Sequence, residues 1–229
     1  MTTALDSVDI DAALGSLINL SGKMRMLSHR AALFAMLIST KGTAGQAYLA
    51  SYDEATREFS DIFQAICRGH DALGIPARAV EELAAQGAID DAIRIPIQTF
   101  LGQTTTLRTN LETGNASGAE VEKLVDLVAG DLLSALNRLT AAVSACLKAR
   151  MGSRQAQSEQ TRVAMLRAVG SISDVSMKVK LISLNATIEA ARAGPYGKSF
   201  GVIAAEIRTL SEDAARSAQG LRDQMERTA

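Results

Sequence analysis

Two runs of the chain repeat apolar or small residues at alternating steps of three and four, and one short turn separates them. The first passes through Met165, Ala168, Ile172, Val175, Val179, Ile182, Ala186 and Glu189, the second through Phe200, Ile203, Ile207, Leu210, Ala214, Ser217, Leu221 and Gln224. Such a repeat keeps one stripe of a helix facing a partner helix along its whole length. Gly194-Pro195-Tyr196-Gly197 is short enough that the second helix must run back along the first. The pattern predicts an antiparallel coiled-coil hairpin, with arms from about Ser158 to Arg192 and from Lys198 to Arg227 and a tip near 193–197. Leu181, Leu184 and Ile188 make a further apolar stripe outside that seam. A second hairpin would close a four-helix bundle around the seam, and the stripe beside the turn then calls for another partner.

The rest of the chain also reads as helix. Aromatic residues are only 3% of the 229, Trp is absent, and Pro76, Pro96 and Pro195 are the three prolines. Ala, Leu and Arg abound and lose little freedom in a helix. A first helix is predicted from near Ser7 to about Thr40, where Lys41-Gly42-Thr43 stops it. Its buried stripe is Leu14, Leu17, Ser21, Met24, Ser28, Ala31 and Ala35, with Leu20, Leu27 and Phe34 making a second stripe beside it. A second helix is predicted over about Ala44–Leu73, with Tyr48, Tyr52, Phe59, Phe63 and Ile66 buried. Shorter pieces follow over Arg78–Gln86 and Asp90–Thr113, the latter bent near Pro96, and Thr113–Gly118 is a loop. From Ala119 only Gly130, Gly152-Ser153 and Gly170 interrupt the helical pattern, so the helix either breaks at Met151-Gly152-Ser153 or belongs to an elongated molecule. The predicted fold is all-α: an N-terminal four-helix bundle over 1–150, then the hairpin over 151–229, dimerising into an elongated helical bundle.

Charge and cysteine usage narrow the function classes. With 24 basic and 25 acidic residues the chain has no general field to attract nucleic acid or an anionic membrane. Its longest apolar run, Ala31–Ser39, is far short of the roughly 20 residues that span a bilayer, which predicts no membrane insertion. The opening MTTALDSVDIDAAL carries acids where a secretory signal has a basic region, so a soluble, cytoplasmic protein is expected. Cys67 and Cys146 match no metal or redox spacing, and two reduced, packed thiols are expected.

The tip residues L-I-S-L-N-A-T-I-E-A-A-R-A-G and G-K-S-F-G-V-I-A-A-E-I-R-T-L-S resemble the signalling hairpin of bacterial methyl-accepting chemotaxis receptors. The resemblance covers nearly 30 residues without a gap and is highly specific. It implies that Leu181, Leu184, Asn185, Ile188, Glu189 and Arg192 match positions of trimer-of-dimers contacts. Asn185, Lys198, Val202 and Glu206 fall where receptors meet a coupling protein and a histidine kinase. This chain has Lys178-Val179-Lys180 where receptors usually carry Q-T-N, and Pro195, Lys198 and Ser199 also depart from the family pattern. The arms are shorter than in full receptors, and Glu159-Gln160 lies too near the tip for a methylation site, so a truncated hairpin without adaptational methylation is expected.

In the first helix, D-A-A-L-G-S-L-I-N-L-S-G-K-M-R-M-L-S-H-R, from Asp11 to Arg30, is similar to the motif in sensor domains of type IV pilus transducers and nitrate/nitrite sensors. That resemblance implies an anion site made by Arg25 with Gly22 and Ser21, taking nitrate or nitrite between two copies of the first helix. The residues alone leave a second reading open, in which Arg25 pairs with Glu58 or Asp61 on the second helix.

Two function classes follow. One is a dimeric sensory transducer whose tip contacts the kinase, the coupling protein or mixed assemblies of receptors. The other is an interaction module that joins receptor arrays without sensing. A haem or metal sensor using His29 and His70 is a further alternative, although His70 reads better as a helix C-terminal cap and His29 as a hydrogen-bonding residue of the bundle. No phosphate loop or catalytic constellation is present, so no enzyme, catalytic residue, metal or cofactor is predicted.

Overall fold

The computed structural model describes residues 2–227, with side chains from Ile10 onward, and these residues are helical with short turns between. The helices are α1 (Thr2–Lys41), α2 (Leu49–Arg68), α3 (Ala77–Ala85), α4 (Asp91–Glu112), α5 (Gly118–Leu127), α6 (Leu133–Arg192) and α7 (Lys198–Arg227). They fall into two compact units, Met1–Met151 and Gly152–Ala229.

In the first unit α1, α2, α4 and the α5–α6 segment form a four-helix bundle with short α3 against it. All seven residues of the predicted α1 stripe, from Leu14 to Ala35, are buried. They meet Tyr52, Phe59, Ile66, Ile97, Phe100, Leu111, Leu132 and Leu139 in one core. Phe59 and Phe100 pack with ring centroids 4.5 Å apart. The Tyr52 hydroxyl donates to the Thr104 carbonyl at 2.9 Å, which answers its polar atom where burial pushes the phenol pKa up. Asp90 caps α4 by accepting from the Ile93 amide, and Ser117 with Glu120 closes a capping box on α5.

Several boundaries differ from those expected. The first helix starts upstream of Ser7, at Thr2. The predicted second helix is three pieces: a 3₁₀ segment Gly42–Tyr48, then α2, then a 3₁₀ turn Asp71–Leu73. Gly69 ends α2 at φ 84°, a conformation that glycine adopts without cost, so His70 is not the cap. His70 lies beyond the helix, exposed and extended, and its backbone pairs with Ile75. Cys67 is exposed rather than packed, while Cys146 is buried, and both are free. Helix α4 runs on through Pro96.

For the long C-terminal helix the sequence left a break or continuity open, and the unbroken form is the one found. A π-helical turn, Val128–Leu132, joins α5 to α6, and α6 then continues without a break through Met151, Gly152 and Gly170. A Cβ placed on Gly152 or Gly170 would meet nothing within 4 Å, so no close packing requires glycine at either position. No described helix is long and apolar enough to cross a membrane.

Candidate functional site

The second unit is the hairpin, and its ends fall where the repeat put them: α6 closes at Arg192 and α7 opens at Lys198. The turn between them needs two glycines for different reasons. Gly194 takes φ 59°, the left-handed conformation common just past a helix end. Gly197 has no such angle, but a Cβ there would lie 2.0 Å from the Ala190 carbonyl oxygen. The start of α7 therefore rests on the backbone of α6, and Pro195 begins the 3₁₀ turn that brings it there.

The seam is not the one the large apolar residues suggested. The buried side chains of the hairpin are Val169, Ser176, Ser183 and Ala190 on α6, and Ala204, Ser211 and Ala218 on α7, with Gly197 buried at the turn. Each set advances by sevens, so these too are heptad positions. Small side chains let two helices lie closer than Leu or Ile would. The serines do not leave their hydroxyls unsatisfied in that seam: Ser176 donates to the Ile172 carbonyl, Ser183 to Lys180 and Ser211 to Ile207. Lys180 crosses to Glu212 at 3.0 Å and holds its carboxyl below the usual range. The positive charge at Lys180 is thus answered inside the hairpin.

Met165, Ile172, Val175, Ile182, Ile203, Ile207 and Leu210, expected in the seam, are exposed instead. Val175 and Ile182 lie one residue, or about 100° of helix, from the buried Ser176 and Ser183. Nearer the turn every residue matched to receptor contacts faces solvent: Leu181, Leu184, Asn185, Ile188, Glu189 and Arg192 on α6, and Lys198, Val202 and Glu206 on α7. Glu189 accepts from Arg192 at 2.8 Å one turn on. Phe200, also expected in the seam, and Tyr196 of the turn are 69% and 91% exposed and widen the apolar surface at the tip.

The family comparison decides what kind of hairpin this is. Residues 145–228 match the model of the methyl-accepting chemotaxis protein (MCP) signalling domain. The hairpin within that stretch is of the chemoreceptor signalling type. The chain is 44% identical over 57 residues to methyl-accepting chemotaxis protein Amb0994 of Paramagnetospirillum magneticum, covering 25% of this chain and 13% of that protein. It is 31% identical over 121 residues to methyl-accepting chemotaxis protein TlpB of Bacillus subtilis, covering 52% of this chain and 17% of the relative. To the aerotaxis receptor of Escherichia coli it is 43% identical over 51 residues, covering 22% and 10%. In each case the chain spans under a fifth of the relative's length. No solved structure matches it.

The first-helix candidates separate in space. Arg25 is half-buried and its Nη1 donates to Asn137 Oδ1 on α6 at 2.9 Å. The expected alternative partner Glu58 is taken by Lys23, so the ion pair with α2 belongs to the neighbouring lysine. The guanidinium lies over Gly22, whose Cβ would sit 3.7 Å from Nη2. Ser21 faces the same helix from inside the core: it is buried and shares a hydrogen bond of 2.8 Å with Thr140 on α6. Arg25 and Gly22 share a surface, and Ser21 does not join it. His29 is exposed, with Nδ1 2.7 Å from its own helix's Arg25 carbonyl. Among the described residues no three His, Cys, Asp or Glu side chains cluster to hold a metal.

Proposed function

We propose that the chain is a chemoreceptor-like signal transducer. It works as a homodimer whose hairpin tip contacts a chemotaxis histidine kinase and its coupling protein, or joins mixed assemblies with other receptors. The observation that carries this reading is the hairpin itself. Its seam is satisfied by small residues, which leaves large aliphatic side chains outside with no cover. Burying one such side chain is worth about 1.5–3 kcal/mol, so a surface of this size favours association. A second hairpin would cover Ile172, Val175, Ile182, Ile203 and Ile207, and the tip residues would remain for other partners.

Co-sedimentation with a chemotaxis kinase and coupling protein tests the reading. Wild type is expected to pellet with the complex, and Ile188→Asp to lose at least about tenfold in apparent affinity, since a charge replaces an apolar contact. Ser158→Asp, far from the tip on the same helix, serves as the unaffected control. Recovery with other receptors but never with the kinase would favour the interaction-module reading and remove direct kinase contact.

On this proposal the N-terminal bundle is the sensing part, and a small planar anion such as nitrate or nitrite is its candidate ligand at Arg25. The support is that Arg25 is answered by the Asn137 amide rather than by a carboxylate, so its charge is free to meet an anion. Met26, His29, Leu33 and Met36 follow a three-four repeat along an exposed edge of α1, which suits a second copy of the same helix. A thermal-shift titration with sodium nitrate and sodium nitrite is expected to raise the midpoint of wild type by several degrees near saturation and to leave Arg25→Ala unmoved. Equal shifts in both proteins would reject Arg25 as the site.

A further inference from the structure

At the point where α6 leaves the bundle, charge is added to the apolar packing of Cys146 and Leu147. Cys146 is the last fully buried α6 residue of the first unit, and residues 151–161 are all exposed. Between them stands Arg150, whose side chain is only 19% exposed. Its Nε donates to Asp11 Oδ1 on α1 at 2.8 Å. Its Nη1 donates to both carboxylate oxygens of Glu82 on α3, at 2.7 and 2.6 Å. Asp11 and Glu82 are themselves 17% and 24% exposed, so the cluster is largely withdrawn from water, where such bonds are strong and directional.

The two carboxylates come from elements of unequal firmness. Asp11 belongs to α1, which runs through the bundle core. Glu82 belongs to α3, a nine-residue helix with only Ala79 and Leu83 fully buried. The chain before and after α3 passes through Gly74 and Gly87, both at positive φ. An apolar contact tolerates sliding, but a planar guanidinium shared between two helices does not. If α3 shifts, Arg150 keeps Asp11 and loses Glu82, which gives the junction two discrete arrangements.

We propose that Arg150 is a latch that passes displacement of α3 to α6, so that the bundle controls how firmly the outgoing helix is held at its exit. The inference extends the signalling reading, on which its biological use rests, but its test needs no kinase and no ligand.

Hydrogen exchange on the whole chain provides that test, through a double-mutant cycle between Leu83→Ala, which loosens α3, and Arg150→Met, which keeps much of the side-chain volume without the charge. In the wild-type background Leu83→Ala is expected to speed exchange over 147–161 by about tenfold, while the α1 and α2 cores keep their protection. In the Arg150→Met background, where the stretch already exchanges faster, Leu83→Ala is expected to add nothing there. Arg150→Lys, which restores the charge without the fork, should fall between. Additive effects of the two substitutions would overturn the latch, since α3 would then act on α6 by another route. No effect of Leu83→Ala over 147–161 would overturn it as well. If α1 and α2 also lose protection, Leu83→Val replaces the alanine variant in the same cycle, with the same outcomes deciding.

Discussion

Gly197→Ala is expected to unseat the turn of the hairpin and to weaken tip binding by about a hundredfold, with the N-terminal bundle melting as before. The added methyl would lie 2.0 Å from the Ala190 carbonyl oxygen and 2.8 Å from its carbon. Both are backbone atoms of a helix, so no side chain can swing aside, and the first turn of α7 must move away from α6. Overpacking of this kind costs about 3 kcal/mol. The displaced turn carries Lys198, Val202 and Glu206 out of register with Leu184, Asn185 and Ile188. Exchange at the amides of residues 190–204, read beside co-sedimentation with the kinase and coupling protein, checks it. Unchanged protection there would mean the turn absorbs the methyl, and the close approach would lose its importance. Gly194→Ala should be milder, about 1–2 kcal/mol, because it strains one angle and meets no atom within 4 Å.

In the first unit the largest effect is expected from Gly45→Ala. Gly45 lies in the 3₁₀ segment that folds back on the end of α1, and its Cβ would come within 2.7 Å of the Ile38 Cα and carbonyl oxygen and 2.8 Å of the Leu37 oxygen. The segment must lift off, and with it Tyr48, which stacks on Phe34, and Gln46, which donates to the Leu111 carbonyl. A loss of about 3 kcal/mol lowers the melting midpoint of a unit of this size by roughly 10 °C. Scanning calorimetry on the whole chain measures it; a midpoint within about 2 °C of wild type would show that the segment can detach without loss. The hairpin, whose packing shares none of these atoms, should keep its own exchange pattern.

Much of the architecture was readable before any coordinates. The α1 stripe from Leu14 to Ala35 is buried as its spacing demanded, and of the second stripe Leu27 is buried while Leu20 and Phe34 are half-buried. The arms end at Arg192 and Lys198 because glycine and proline chemistry is local. The tip residues were legible for the same reason, as a contiguous pattern beside a turn. The seam was not. Two stripes about 100° apart, one of Ile and Val and one of Ser and Ala, share the same heptad period, and periodicity alone cannot rank them. Hydrophobicity pointed to Ile172 and Ile182, whereas close approach selects Ser176 and Ser183.

Arg25 shows the other limit. Its partner is Asn137, 112 residues away, and the carboxylate that seemed suited to it is taken by Lys23 two residues earlier. Which of two nearby cations meets a given acid depends on a helix rotation that no spacing reports. The Arg150 cluster is a stronger case, since Asp11, Glu82 and Arg150 stand in three separate helices and no spacing in the sequence links them.

The residues alone make this chain helical, place its turns and fold its C-terminal 3-4 repeats back on each other as a hairpin. Those properties follow from residues within a few turns of each other, through backbone freedom and the period of the helix. Which stripe closes the hairpin, the unbroken run of α6 past Gly152 and the ion cluster at its exit from the bundle become fixed only in the folded chain. These depend on distances between helices. Steric size and charge act across such distances only after the chain has folded.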